Sequence, residues 1–289
     1  MLNIFKKKTL VNLADFESLY NMEILTQLSV PQEKEALQMK SVTEVYLYQR
    51  IENNKILNSI SSTLIEAKVS SPDFQSFINK TSIINDVLKK IDVKRNLNGG
   101  LKELINKDQI LQYWDTWRKN ELHKHFSTLR EQENFIEMMD LGIPKLEMNL
   151  KNELQYLILL PECYKFKDYI DPIDKAYTSL YIYTPKLIQD LEFEYKLTPI
   201  EINESEDALN IQLKSNWTNK NEIKSTLKNS QVPEYSNISF NLILDYCFDK
   251  ETGKILNSCL KLEEAINENL HYKVNMSLKG KGNDAKNGW

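Results

Sequence analysis

The chain has 289 residues, 41% of them hydrophobic and 27% charged, with a formal net charge of -4. That length buries a sizeable core, and the scattered lysines form no basic stripe for a phosphate backbone, so no nucleic-acid partner is expected. Three cysteines make no disulfide framework, and no apolar run approaches a membrane span.

At the N-terminus the short apolar stretch precedes Lys6, Lys7 and Lys8, the reverse of a secretory signal, so the expected location is cytoplasmic. Glycine occurs only seven times, with no cluster before a helix. A phosphate-cradling loop is therefore not expected, and neither is a nucleotide or any other cofactor.

"SVTEVYLYQRIENNKILNSISSTLIEA" carries β-branched and aromatic residues around an Asn pair. It reads as a hairpin turning at Asn53-Asn54, with a helix through Thr43 to Asn58 as the competing reading. "SPDFQSFINKTSIINDVLKK" reads as a helix starting near Pro72, and "IDVKRNLNGGLKELI" as a hairpin turned by Asn98-Gly99.

The middle is helical in pattern. Ile110, Trp114, Trp117, Leu122, Phe126 and Leu129 recur at helical spacing, predicting a helix from Asn106 to Leu129. A shorter helix follows, ended by Gly142 and Pro144.

From Leu154 onward the chain reads largely as strands. "LEFEYKL", "LNIQLKSNW", "SFNLILDYCF" and "LHYKVNMSL" each alternate apolar and polar residues, the pattern of an antiparallel sheet with one apolar face. In "DKETGK" glycine closes a further hairpin. Matching apolar residues across it pairs Phe248 with Leu256, Leu244 with Leu260, and Leu242 with Leu262. The same register makes Cys247 and Cys259 diagonal neighbours on the polar face. His271 then falls near Glu263, too far along the strand for a shared zinc.

The expected fold class is α+β, an antiparallel, strongly curved β-sheet packed on one face against a helical middle segment. The Trp114/Trp117 helix is its expected cover. A single domain over 1-289 is expected: strands and a helix to 105, helical cover over 106-150, sheet over 151-280 and a flexible tail from 281. A possible split lies near 142-152. At the level of architecture alone, a sheet curled over central helices resembles the bacterial carriers of the lipoprotein-localisation type. That resemblance implies an acyl chain held between sheet and helices, and it touches no specific residue.

Candidate chemistry is sparse. Glu121, His123 and His125 in "ELHKHF" are a candidate metal or proton-shuttle cluster, set against an exposed i,i+4 pair. Asp168, Asp171 and Asp174 read as a helix start, with Asp171 as cap, in preference to a calcium loop. Glu133 and Glu137 read as a solvated face, and Cys163 as a strand-end residue. Tyr177, Tyr181 and Tyr183 share a strand face and are the candidate ligand or partner surface. The leading expectation is a non-enzymatic binding or interaction protein whose half-exposed sheet holds a partner protein or a small apolar ligand. The alternatives are a metal-dependent hydrolase using the Glu/His cluster and a structural subunit of a larger assembly.

Overall fold

The structure, a computed structural model, describes residues 11–30, 36–71, 75–126, 128–164, 180–183, 187, 193–217, 239–267 and 270–281. Its strands are β1 (Phe16–Ser29), β2 (Leu37–Glu52), β3 (Lys55–Val69), β4 (Lys90–Asn96) and β5 (Leu101–Leu104), then β6 (Leu180–Tyr183), β7 (Phe193–Glu204), β8 (Ala208–Trp217), β9 (Ser239–Asp249), β10 (Ile255–Asn267) and β11 (Leu270–Gly280). The helices are α1 (Gln75–Val87), between β3 and β4, and α2 (Lys107–Asn120), α3 (Leu129–Gly142), α4 (Leu146–Leu150) and α5 (Leu154–Leu159), all between β5 and β6.

All eleven strands form one antiparallel sheet in the order β5-β4-β3-β2-β1-β11-β10-β9-β8-β7-β6. The β1–β11 ladder therefore joins the first and last strands at the sheet's centre, and α2 to α5 enter as one long insertion between the two edge strands. The class is α+β, as expected. The sheet is nevertheless open, with β5 and β6 as separate edges, and is not strongly curled as a whole or closed. Its β6 edge does turn in far enough for Tyr183 to reach Glu264 on β10.

Local chemistry accounts for the turns. Asn53 and Asn54 adopt φ of 49° and 58°, the left-handed pair that a two-residue hairpin demands and that Asn tolerates. Gly253 turns β9 into β10 at φ 71°. Beyond it the register departs from regular pairing. Phe248 faces Ile255, a bulge follows, and Asn257 faces Cys247. Leu256 is thereby turned outward, 38% exposed, while Ile255 is buried. The pairs Leu244–Leu260 and Leu242–Leu262 are present as expected.

The helical segment differs from its sequence pattern in three places. The run of apolar spacing from Asn106 to Leu129 is not one helix. It ends at Asn120, continues as a 3-10 turn over Leu122–Lys124, and restarts at Leu129. There the Thr128 hydroxyl accepts the Glu131 N–H, an N-cap of the Ser/Thr-x-x-Glu kind. Second, strands do not begin at Leu154. "LQYLIL" forms α5, in which Tyr156, Leu157, Ile158 and Leu159 are all buried. A short segment buried all round has no polar face, so periodicity cannot separate helix from strand.

Third, the Trp114/Trp117 helix is not the direct cover of the sheet. Helix α5 packs on β10 and β11, α1 on β3 and α4 on β5, while α2 sits against α1 and the turn at Ile143–Lys145. Trp114 and Trp117 stack at 6.1 Å, and Phe135 meets Trp114 edge-on. Asp140 accepts from both Trp114 Nε1 and Arg118, tying α3 to α2. The tryptophans thus build the interior of the helical layer.

Candidate functional site

On the inner face, side chains from neighbouring strands line up in rows across the sheet. One row runs Leu242, Leu262, Val274, Thr26, Met39 and Val69. The row nearer the β1–β2 turn runs Phe240, Glu264, Tyr272, Leu28 and Leu37. The row on the other side runs Leu244, Leu260, Met276, Ile24, Ser41 and Ala67.

Burial changes along these rows. On β9, β10 and β11 the residues Leu242, Leu244, Leu260, Leu262 and Val274 are all 2% exposed or less. On β1, β2 and β3 the residues Ile24, Leu28, Leu37, Met39, Ala67 and Val69 are only half-buried. The cause is the placement of α5 and α1. The Tyr246 hydroxyl donates to the Leu157 carbonyl, and Ser258 to that of Ile158 at 3.4 Å, holding α5 over β9 and β10. Helix α1 lies against β3. The far ends of β1 and β2 are left as an apolar corner.

Polar groups stand at the border of this corner. Glu264, 3% exposed, accepts the Tyr183 hydroxyl at Oε1 and the Leu187 N–H at Oε2, the latter at 3.2 Å. Tyr272 is paired with Glu264 across β10–β11. Burial pushes the Tyr272 phenol up to about 12, with the Glu264 carboxylate adding to the rise and a hydrogen bond from Thr26 opposing it. The Tyr183 phenol is raised further, by burial first and then by Glu264.

A second buried polar junction lies elsewhere on the inner face. Arg95, 1% exposed, donates to Gly99 O at 2.6 Å, Asn58 Oδ1 at 3.1 Å and Pro161 O at 2.5 Å. Its guanidinium lies over the Tyr164 ring at 5.5 Å. These are neutral acceptors drawn from β3, the β4–β5 turn and the segment leaving α5, so the junction clasps the end of the helical insertion onto the sheet. Cys163 is fully buried there, and burial pushes its thiol well up, with Arg95 opposing. A thiol held in that state is a poor nucleophile.

Of the residues singled out in the sequence, Tyr183 belongs to the wall of the corner. It is 3% exposed and packs on Phe240 and Tyr195. Tyr181 pairs with Tyr195 in the β6–β7 ladder, and Tyr177 lies outside the described residues, as do Asp168, Asp171 and Asp174.

Glu121 and His125, read as one helical turn apart on a single helix, do not share one, because α2 ends at Asn120 and His123 falls in the 3-10 turn. Glu121 accepts from Lys124 at 2.7 Å, which holds its carboxyl below the usual range, and the His125 ring stacks on Trp117 at 5.3 Å. Cys247 and Cys259 are diagonal on the outer face, opposite Asn257 and Asp245. His271 pairs with Ala265, two residues beyond the Glu263 position expected, which takes it further still from Cys259. Among the described residues no three His, Cys, Asp or Glu side chains are grouped to hold a metal ion.

Sequence reasoning placed Tyr272 on the inner parity and missed Glu264 and Arg95 as interior polar groups. Glu264 did carry a signal, since it falls on the parity of β10 that also holds Leu260 and Leu262.

No family model matches the chain, and no curated protein matches it in sequence. Among solved structures, DynF from the dynemicin biosynthesis pathway of Micromonospora chersina aligns over 97% of this chain and 87% of its own, at 8% identity and a TM-score of 0.18. A similarity of that size carries no argument about fold or function. No helix among the described residues is long and apolar enough to cross a membrane.

Proposed function

We propose that this chain is a non-enzymatic binding protein that holds an apolar ligand against the inner face of its sheet. The observation that carries the reading is the break in burial along the rows. Side chains as apolar as those of the core, Ile24, Leu28, Leu37, Met39 and Val69, stay half-exposed where α5 and α1 end. Apolar surface left partly open next to a finished core marks a place for something else to sit, and small-molecule sites are concave and mostly apolar with few polar groups. Thr26, Tyr272 and Glu264 would be those polar groups.

The test uses N-phenyl-1-naphthylamine, an uncharged dye that brightens in apolar surroundings. We expect saturable binding to the full chain and affinity at least about 10-fold weaker in Leu28→Asp and Met39→Asp, each about 1.4 kcal/mol or more. Both positions are half-exposed, so the melting temperature should move little. Unchanged dye affinity in both variants would sink the reading.

A further inference from the structure

Resting on that reading, we infer that the corner rejects ligands with an anionic head and takes apolar chains whose head is an uncharged hydroxyl. The argument is the sidedness of charge on the strands that form it. Lys40 and Lys68 on β2 and β3, and Lys261 and Lys273 on β10 and β11, all alternate with inward residues and so face outward. Three of them are already matched there, Lys273 with Glu263 at 2.8 Å, Lys40 with Glu23 at 3.6 Å and Lys68 with Glu66.

Inward positions of the described parts of β1, β2, β3, β9, β10 and β11 carry no lysine or arginine, and one carboxylate, Glu264. A fatty-acid or phosphate head drawn into this corner would be desolvated with none of these lysines to meet it. It would also lie within about 10 Å of Glu264, two strand spacings from Leu28. A carboxylate accepts hydrogen bonds only, whereas a hydroxyl both donates and accepts. The Tyr272 phenol and the Thr26 hydroxyl, diagonal neighbours across the β1–β11 ladder, suit the second kind of head.

Bound N-phenyl-1-naphthylamine is displaced from the full-length chain at pH 7.5 by 1-dodecanol, dodecanoate or dodecylammonium, each below its aggregation concentration. Dodecanol should half-displace the dye at a concentration at least about 10-fold below dodecanoate, a difference of about 1.4 kcal/mol. Glu264→Gln should narrow that ratio to below about 3-fold by admitting dodecanoate.

Should the variant not fold, the wild-type ranking decides, because dodecylammonium and dodecanoate carry heads of similar hydration cost and opposite sign. Dodecylammonium must then rank above dodecanoate. Equal or better displacement by dodecanoate overturns the head-group inference while leaving ligand binding standing. A chain that binds no dye at all overturns both.

Discussion

Gly99 turns β4 into β5 at φ +105°, and a Cβ built on it would lie 2.2 Å from the Pro161 carbonyl oxygen and 2.8 Å from an Arg95 guanidinium nitrogen. Gly99→Ala therefore meets two separate penalties. Left-handed backbone costs a residue with a Cβ about 1–2 kcal/mol. The Pro161 carbonyl must also retreat by about 1 Å to restore ordinary contact, which breaks the charge-assisted hydrogen bond it accepts from Arg95. A bond of that kind is worth about 1.5–3 kcal/mol. Together these predict a loss of about 2.5–5 kcal/mol, large for one added methyl group.

The assay is urea unfolding followed by far-ultraviolet circular dichroism, with Gly142→Ala as control. A Cβ at Gly142 meets nothing within 4 Å, so that substitution should leave stability unchanged or raise it by about 0.5–1 kcal/mol. A Gly99→Ala chain within about 1 kcal/mol of the parent would refute the claim that the segment after α5 is clasped to the β4–β5 turn through Arg95.

The bulge after Gly253 predicts opposite outcomes for adjacent residues. Ile255→Ala, inside the core at 1% exposure, should cost about 2–5 kcal/mol and Leu256→Ala less than about 0.5; the reverse order in a denaturation series would restore regular pairing. At high pH the folded chain should weaken. Tyr272, pushed up to about 12, keeps a proton that the unfolded chain releases near about 10, so its contribution is whole below that lower value and lost as pH climbs toward the upper one. That amounts to at most about 2.7 kcal/mol from two pH units, and the buried phenols of Tyr20, Tyr156 and Tyr195, raised by burial, act in the same direction. Urea midpoints that stay level from pH 9 to 11.5, or that fall no less steeply in Tyr272→Phe, would contradict this.

What could be read in the sequence follows the solvent. Strands β9 and β10 alternate cleanly because one face packs on the helices and the other meets water, so Leu242, Leu244, Leu260 and Leu262 declare their side and their partners. The Asn53-Asn54 and Asn98-Gly99 turns are legible for a different reason. Few residues tolerate the left-handed backbone such turns require, so composition alone exposes them.

Strand β1 is the opposite case. It carries Leu19 and Leu25 outward as well as Met22 and Ile24 inward, and alternation disappears where both faces are partly sheltered. The break after Asn120 was hidden because Leu122 is fully buried in the 3-10 turn at a spacing an unbroken helix would also have given it.

The corner itself belongs to a further class, features that no local pattern encodes. Thr26 meets Val274 and Leu28 meets Tyr272 only because β1 pairs with β11, some 250 positions later in the chain. Its openness depends on where α5 lies, which is held by the hydrogen bond of Tyr246 to Leu157. Even Glu264 is informative only once its neighbours are known. On a strand read alone it is one of two adjacent glutamates, Glu263 and Glu264. The ladder sends Glu263 outward to Lys273 and Glu264 inward to Tyr183. One residue of parity decides whether the same carboxylate is a solvated surface charge or a buried acceptor on the inner face.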